Sequence, residues 1–99
     1  MNKRVVDCLK RAKGLLVKYG WVQHRYGNEE TGFCASAAII YASKSGEVNL
    51  ESQLALLNVV GGGIVPWNDH PGRRKRTVLA AFDRAIKKAQ HDSSRAHRR

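Results

Sequence analysis

The sequence predicts an all-α fold, and three observations support this prediction. Residues 31–43 contain no charged side chain, although 26% of the 99 residues are charged. Elsewhere apolar residues recur at intervals of three and four, the period of an amphipathic helix, and strand-like alternation is scarce. A chain of this length is expected to form one domain with one modest core. We therefore expect a compact bundle of four main helices at 1–90, followed by a basic, flexible C-terminal tail at 91–99.

The first helix is predicted to run from Lys3 or Arg4 to Lys18. Its apolar residues are spaced by four, three and four positions and so form one stripe: Val5, Leu9, Ala12 and Leu16. Gly20 is the expected stop, because glycine readily adopts the left-handed conformation that ends helices. The following segment, 20–32, has no sustained period and is predicted to be a long irregular loop.

The uncharged stretch is predicted to form the central, buried helix of the bundle at 33–43. A helix that is apolar around most of its circumference must be covered on most sides. Its alanines also allow neighbouring backbones to approach closely. Thr31 is the expected N-terminal cap, since its hydroxyl can accept a hydrogen bond from a free backbone N–H.

Two further helices complete the predicted bundle. The third is expected from Leu50 to Val60 with Asn49 as its cap, and 61–72 is expected to be a long irregular loop. The last helix is predicted from Arg74 to Gln90. Its apolar stripe consists of Val78, Phe82, Ala85 and Ala89.

Several short motifs occur in a distinctive order across roughly residues 9–89. They are Gly20-Trp21-x-Gln23, Cys34-Ala35 with Ala37-Ala38, Trp67-Asn68-Asp69, and Val78-Leu79 followed by Asp83-Arg84-Ala85-Ile86. This pattern resembles a family of small helical domains of unknown function from actinobacteria and their phages. The resemblance implies an all-α fold and a phage or actinobacterial origin, and it implies no activity.

The chain departs from that family pattern at two places. Val22 stands where members often have Cys, which argues against a shared metal or thiol site at this position. Arg74 and Thr77 stand where members tend to have the Thr and Glu of an N-terminal capping box. The start of the last helix is therefore more basic than is usual in the family.

The net charge of +10 is distributed unevenly along the chain. Residues 1–26 hold seven Lys or Arg and one acidic residue, and residues 70–99 hold ten and two. Residues 27–69 hold one Lys and five acidic residues. If the terminal helices pack side by side, their charges form one positive face, the electrostatic signature of nucleic-acid contact.

The charge pattern predicts a non-catalytic, phage-encoded protein that associates with nucleic acid through phosphate contacts, with little sequence readout. The candidate binding residues are Arg73, Arg74, Lys75, Arg76, Lys10, Arg11, Lys87 and Lys88. Stacking on single strands is not expected, because Trp21, Phe33, Tyr41, Trp67 and Phe82 fit core or anchor positions. The same charges could instead contact an acidic host protein, as in an effector that inhibits it, or an anionic lipid surface, or simply face solvent.

An enzymatic alternative uses Cys34 as nucleophile, His70 as base, and Asn68 or Asp69 to orient the histidine, as in cysteine hydrolases. A thiol near a helix N-terminus has its thiolate favoured by the helix dipole. The simpler interpretation, which we favour, is that Cys34 packs in the core and that Asn68 or Asp69 caps the last helix. The protein is accordingly predicted not to be an enzyme.

A metal site could draw on Cys8, His24, Cys34 and His70, but no pair of them has the spacing of known metal-ligand motifs. We therefore expect no metal and no cofactor. Two cysteines are too few for a disulfide framework, and no apolar run has the length of a signal peptide or membrane span. These features predict a cytoplasmic protein, in the host cytoplasm if it is phage-encoded.

Overall fold

The computed structural model describes the backbone of residues 2–97 and the side chains of residues 3–91. Over this range the chain forms five helices and one two-stranded antiparallel hairpin, which confirms the all-α class. The helices are α1 (Asn2–Tyr19), α2 (Ala35–Ala42), α3 (Gly46–Val60), α4 (Ile64–Asn68) and α5 (Lys75–His97). The strands are β1 (Gly27–Asn28) and β2 (Gly32–Phe33).

Helix α1 lies at the centre of the packing, because it contacts α2, α3 and α5 and packs most extensively on α5. The predicted stripe of α1 is buried, and Leu9 and Leu16 are fully inaccessible to solvent. Phe82 and Val78 of α5 meet them in the same core. Burial of such side chains stabilises the fold by about 1.5–3 kcal/mol each.

Helix α2 is shorter and less completely covered than predicted. Five of its eight residues are buried, but Ile40 is 48% exposed and Tyr41 is 57% exposed. Tyr41 is therefore not a core residue. Phe33 belongs to β2, and the N-cap of α2 is Cys34, whose Sγ accepts a hydrogen bond from the N–H of Ala37 (3.3 Å). Thr31 does not cap the helix.

The segment 20–32 is more ordered than the predicted irregular loop. Its hairpin pairs Gly27 with Phe33, and its turn is closed by the side chain of Asn28, which accepts hydrogen bonds from the N–H groups of Glu30 (2.8 Å) and Thr31 (3.0 Å). Gly32 adopts a φ of +93°, and a Cβ atom there would lie 2.6 Å from the carbonyl of Gly20. The close approach of these two backbone segments therefore requires glycine at position 32.

Helices α3 and α4 also differ from expectation. Helix α3 begins at Gly46 rather than Leu50, because Ser45 and not Asn49 is its cap; the Ser45 hydroxyl accepts from the N–H of Val48 (3.2 Å). The predicted irregular connection at 61–72 contains the short helix α4. Pro66 fits there because the first four N–H groups of a helix have no partner within it.

Helix α5 begins at Lys75 and continues to His97, beyond the predicted end at Gln90. Much of the segment 91–99, predicted to be a flexible tail, is thus part of this helix, and residues 98–99 lie outside the described residues. The expected cap of the last helix is also wrong. Asn68 ends α4 and Asp69 follows it, so neither reaches the start of α5.

Candidate functional site

Helices α1 and α5 pack side by side in antiparallel orientation. Lys13 Nζ lies 2.6 Å from Asp83 Oδ1, and Val5 lines the same cavity as Ala85 and Ala89. Earlier residues of α1 therefore meet later residues of α5. The sequence condition for a combined positive face, direct contact between the two terminal helices, is met.

Four basic side chains lie along the outer side of this helix pair, and we call them the basic seam: Lys10, Lys13, Arg76 and Lys87. Lys10 is one turn before Lys13 on α1, whereas Arg76 and Lys87 lie seven residues before and four residues after Asp83 on α5. The helical period places such residues on the same stripe. Arg76 and Lys87 are then about 16 Å apart along the helix axis. Asp83 is the acidic member of this surface, and Lys13 offsets its charge.

The start of α5 adds more positive charge close to this surface. Arg74 and Lys75 are exposed, and the first turn of α5 contains no acidic residue. The positive end of the helix dipole lies at the same place. None of the described residues in this turn carries a carboxylate that would offset the dipole. The start of α5 therefore favours the binding of an anion.

Two other predicted binding residues, Arg73 and Arg11, are engaged within the protein. Arg73 stacks on Trp67, with Cζ 4.3 Å from the ring centroid, and its Nε donates to the carbonyl of Trp67 (2.8 Å). Arg11 Nε donates to the carbonyl of Ala42 at the end of α2 (3.2 Å). Lys88 lines the cavity between α3 and α5 together with Glu51. Arg73 and Arg11 therefore hold neighbouring elements in place.

The motif residues Trp21, Gln23, Asn68 and Asp69 meet in a second cluster. Asn68 is fully buried; its Oδ1 accepts from Trp21 Nε1 (2.6 Å) and from the N–H of Ala35 (2.9 Å). Its Nδ2 donates to the carbonyl of Val22 and to Asp69 Oδ1, both at 3.0 Å. Asn68 thus joins the loop, the start of α2 and the end of α4, and its polar groups are satisfied as burial requires.

Asp69 extends this cluster to the surface. Its Oδ1 accepts from the backbone N–H of His24 (2.8 Å), and His24 Nδ1 lies 3.9 Å from Oδ2. The hydrogen bond from His24, with a second from Asn68, lowers the pKa of the Asp69 carboxyl. His24 holds a left-handed backbone conformation with φ of +68°, which a non-glycine residue adopts rarely.

Cys34 lines a cavity of about 240 Å³ together with His24, Asp69 and Tyr26. The histidine beside Cys34 is therefore His24 and not the predicted His70, which does not line this cavity and whose carbonyl accepts from Gln23 Nε2 (2.8 Å). Burial raises the pKa of the Cys34 thiol, although N–H groups at the start of α2 act in the opposite direction. Cys34 thus stays a neutral thiol at physiological pH, which does not favour nucleophilic chemistry.

Sequence reasoning missed the role of His24 and the junction formed by Asn68. A signal for the junction was present, since a buried Trp requires a partner for its indole N–H. The contact of His24 with Asp69 left no such signal, because the two residues are 45 positions apart in sequence.

Three negative results concern the described part of the chain. Among these residues no three His, Cys, Asp or Glu side chains are placed to hold a metal ion. Within the same range no helix has the length and apolarity needed to cross a membrane. Cys8 and Cys34 are both buried and free.

Comparison with known proteins agrees with the expected membership of a family of unknown function. No curated protein and no solved structure matches the chain significantly. A family model does match, over residues 1–88, and this range includes α1 to α4, the first part of α5 and every buried core residue except Ala89. The chain therefore belongs to DUF6197, a family of unknown function.

Proposed function

We propose that this protein is a non-catalytic nucleic-acid-binding protein that contacts phosphates through the basic seam and the start of α5. The observation that carries the proposal is the antiparallel contact of α1 with α5, which brings basic residues from both ends of the chain onto one surface. Lys and Arg side chains that neutralise phosphates supply most of the affinity in non-specific binding. Phage origin and a cytoplasmic location belong to the same proposal.

The geometry favours backbone contacts over base readout. Lys10, Arg76 and Lys87 are exposed on helices that pack against each other, an arrangement that does not favour insertion of one of these helices into a groove. A binding mode of this kind positions a protein on phosphates without reading sequence. We therefore expect similar affinities for duplexes of different sequence.

The test is fluorescence anisotropy with a labelled DNA duplex, titrated at low and near-physiological salt. The logarithm of the affinity should fall linearly with the logarithm of the salt concentration. The slope of this line should steepen by about 0.9 for each phosphate contact. Competition with unlabelled duplexes of other sequences then measures specificity. Absence of binding at low salt would refute the proposal.

Two triple variants of equal net charge locate the interface. The first neutralises the seam with Lys10→Gln, Arg76→Gln and Lys87→Gln. The second removes three positive charges elsewhere with Lys18→Gln, Arg25→Gln and Lys44→Gln. The seam variant should bind more weakly and with a shallower salt slope than the second variant. Equal weakening in both would mean that net charge alone, rather than this surface, determines binding.

A charge reversal tests the start of α5 together with Arg76 of the basic seam. Arg74→Glu, Lys75→Glu and Arg76→Glu should abolish binding at near-physiological salt, because they remove positive charge and add repulsion at the phosphates. Arg73 is left unchanged in this variant because of its contacts with Trp67. Unchanged affinity and salt slope would contradict the role assigned to this segment.

A further inference from the structure

Three of the large exposed apolar side chains surround one groove on the surface of α2 and the hairpin. Tyr26 is 65% exposed, Tyr41 57% and Ile40 48%. We call this the tyrosine groove; it encloses about 320 Å³, and its lining contains no charged residue: Tyr26, Gly27, Phe33, Ala37, Ile40 and Tyr41. Clusters of exposed apolar side chains of this kind mark interaction sites.

The walls of the groove are held in place by the fold. The Phe33 ring lies between two tyrosines, with centroid distances of 6.1 Å to Tyr19 and 5.1 Å to Tyr41. The carbonyl of Tyr26 accepts a hydrogen bond from the N–H of Cys34 (2.9 Å), which ties the outer wall to the start of α2. A groove that exists before binding avoids much of the ordering cost of association.

The apolar surface continues past Tyr26. The neighbouring cavity of about 240 Å³ shares Tyr26 with the groove and adds Val65, which is 45% exposed. Arg25, His24 and Asp69 also line that cavity, so it is partly polar. The uncharged part of the surface thus runs from Val65 across Tyr26 to Tyr41.

Negative charge lies at the Tyr41 end of the groove. The Tyr41 hydroxyl donates a hydrogen bond to Glu29 Oε2 (3.0 Å), and Glu30 follows in the same turn. That hydrogen bond to Glu29 raises the pKa of Tyr41, so the hydroxyl remains a donor. A phosphate would be repelled here, whereas a cation beside the groove would be attracted.

We propose that the tyrosine groove docks a short segment of another protein, whose aromatic or large aliphatic side chain enters the groove beside a Lys or Arg that pairs with Glu29 and Glu30. The charge complementarity and the uncharged lining together specify this occupant. Tyrosine-rich pockets of this kind commonly supply the dominant energy of a protein interface. The site lies on residues 26–41 and does not depend on nucleic-acid binding by the basic seam.

The test is selection of a random peptide display library on the full chain, with counter-selection on Ile40→Gln. Enriched peptides should carry an aromatic or large aliphatic residue next to Lys or Arg, and their affinity should fall about tenfold or more in Ile40→Gln. Leu50→Gln is the matched control, because Leu50 on α3 is 60% exposed but does not line the groove. Circular dichroism melting verifies that both variants fold.

A second pair of measurements tests the charge and the occupant. Glu29→Gln with Glu30→Gln should weaken the selected basic peptides but leave their Lys/Arg→Gln analogues unaffected. The proposal would be overturned if no peptides are enriched on the wild type relative to Ile40→Gln. It would also be overturned if the enriched peptides are acidic and bind the wild type and Ile40→Gln equally. Light scattering that shows a dimer abolished by Ile40→Gln would overturn it as well, by assigning the groove to a second copy of the chain.

Discussion

The indole N–H of Trp21 donates a 2.6 Å hydrogen bond to the side-chain oxygen of Asn68, and the same oxygen accepts the N–H of Ala35. One buried amide thus fixes the loop after α1 to the beginning of α2 from a position at the end of α4. The Cys34 cavity and the tyrosine groove are both built on these segments. Their geometry therefore depends on Asn68, although Asn68 lines neither of them.

Replacing Asn68 with Ala should destabilise the fold by about 3 kcal/mol or more, because it leaves several buried donors and acceptors without partners. Chemical denaturation of the variant measures this loss directly. Asn68→Asp should also be destabilising, since a carboxylate cannot donate to the carbonyl of Val22 or to Asp69. Gln23→Ala is the milder control, because Gln23 donates to the carbonyls of Asn68 and His70 from a half-buried position. A loss in Asn68→Ala no larger than in this control would contradict the role of Asn68.

Truncation of Ser52 should stabilise the fold, in contrast to truncation of Asn68. Ser52 is fully buried on α3, and its hydroxyl has no hydrogen-bond partner among the described residues. Ser52→Ala should raise the free energy of unfolding by about 1 kcal/mol, because it removes an unsatisfied polar group from the core. Ser36→Ala is the matched control and should destabilise slightly, since the Ser36 hydroxyl donates to Gln53 Oε1 (3.1 Å). Destabilisation by Ser52→Ala would show that the hydroxyl is satisfied in solution.

The sequence predicted the helices whose apolar stripes face the core, and it failed where contacts between distant segments determine the structure. The stripe of α1 from Val5 to Leu16 follows from spacing alone, because burial on one face imposes the helical period. Helix α4 has no such stripe and is too short to show one. Its formation accompanies the contacts of Asn68 with Trp21 and Ala35.

For the candidate sites too, the sequence showed local patterns but not the contacts between distant segments. That the chain ends are basic could be read from composition, and their convergence required the packing of α1 on α5. Arg73 could not be separated from Arg76 by sequence, because its stacking on Trp67 is a tertiary contact. Tyr41 lies in an uncharged stretch and was expected in the core. It is instead 57% exposed and lines the tyrosine groove with Ile40 of the same helix, an outcome of tertiary packing that the local sequence does not encode.

Acid should weaken the fold partly through Asp69. Hydrogen bonds from His24 and Asn68 lower the pKa of this carboxyl in the folded state, so the unfolded state binds the proton more readily. The contribution to stability is complete above the unfolded pKa of about 4 and is lost as the pH falls through the lower folded value. Unfolding curves between pH 7 and pH 2 should show that the free energy of unfolding falls less at acid pH in Asp69→Asn than in the wild type. Identical acid limbs in the two proteins would contradict this assignment.

Cys34 should react slowly with thiol reagents in the folded state. It is 4% exposed, and burial raises its pKa, so little thiolate is present at neutral pH. Iodoacetamide labelling followed by peptide mass spectrometry should show modification of Cys34 that speeds up greatly in denaturant. Cys8, which is fully buried, provides the internal reference. Rapid labelling of Cys34 alone in the folded protein, lost in His24→Ala, would instead support the hydrolase alternative with His24 as its base.

Asp83 should limit nucleic-acid binding at the basic seam, because it lies within that surface and pairs with Lys13. Asp83→Asn removes the negative charge and frees the ammonium of Lys13 for a phosphate. The variant should bind duplex DNA more tightly than the wild type at low salt, with a salt slope steeper by about 0.9 if Lys13 gains one phosphate contact. Glu30→Gln changes the net charge by the same amount from the hairpin turn and should leave the salt slope unchanged. Anisotropy titrations of the two variants at matched salt make the comparison. An equal effect of both substitutions would place the nucleic acid away from the pairing of Lys13 with Asp83.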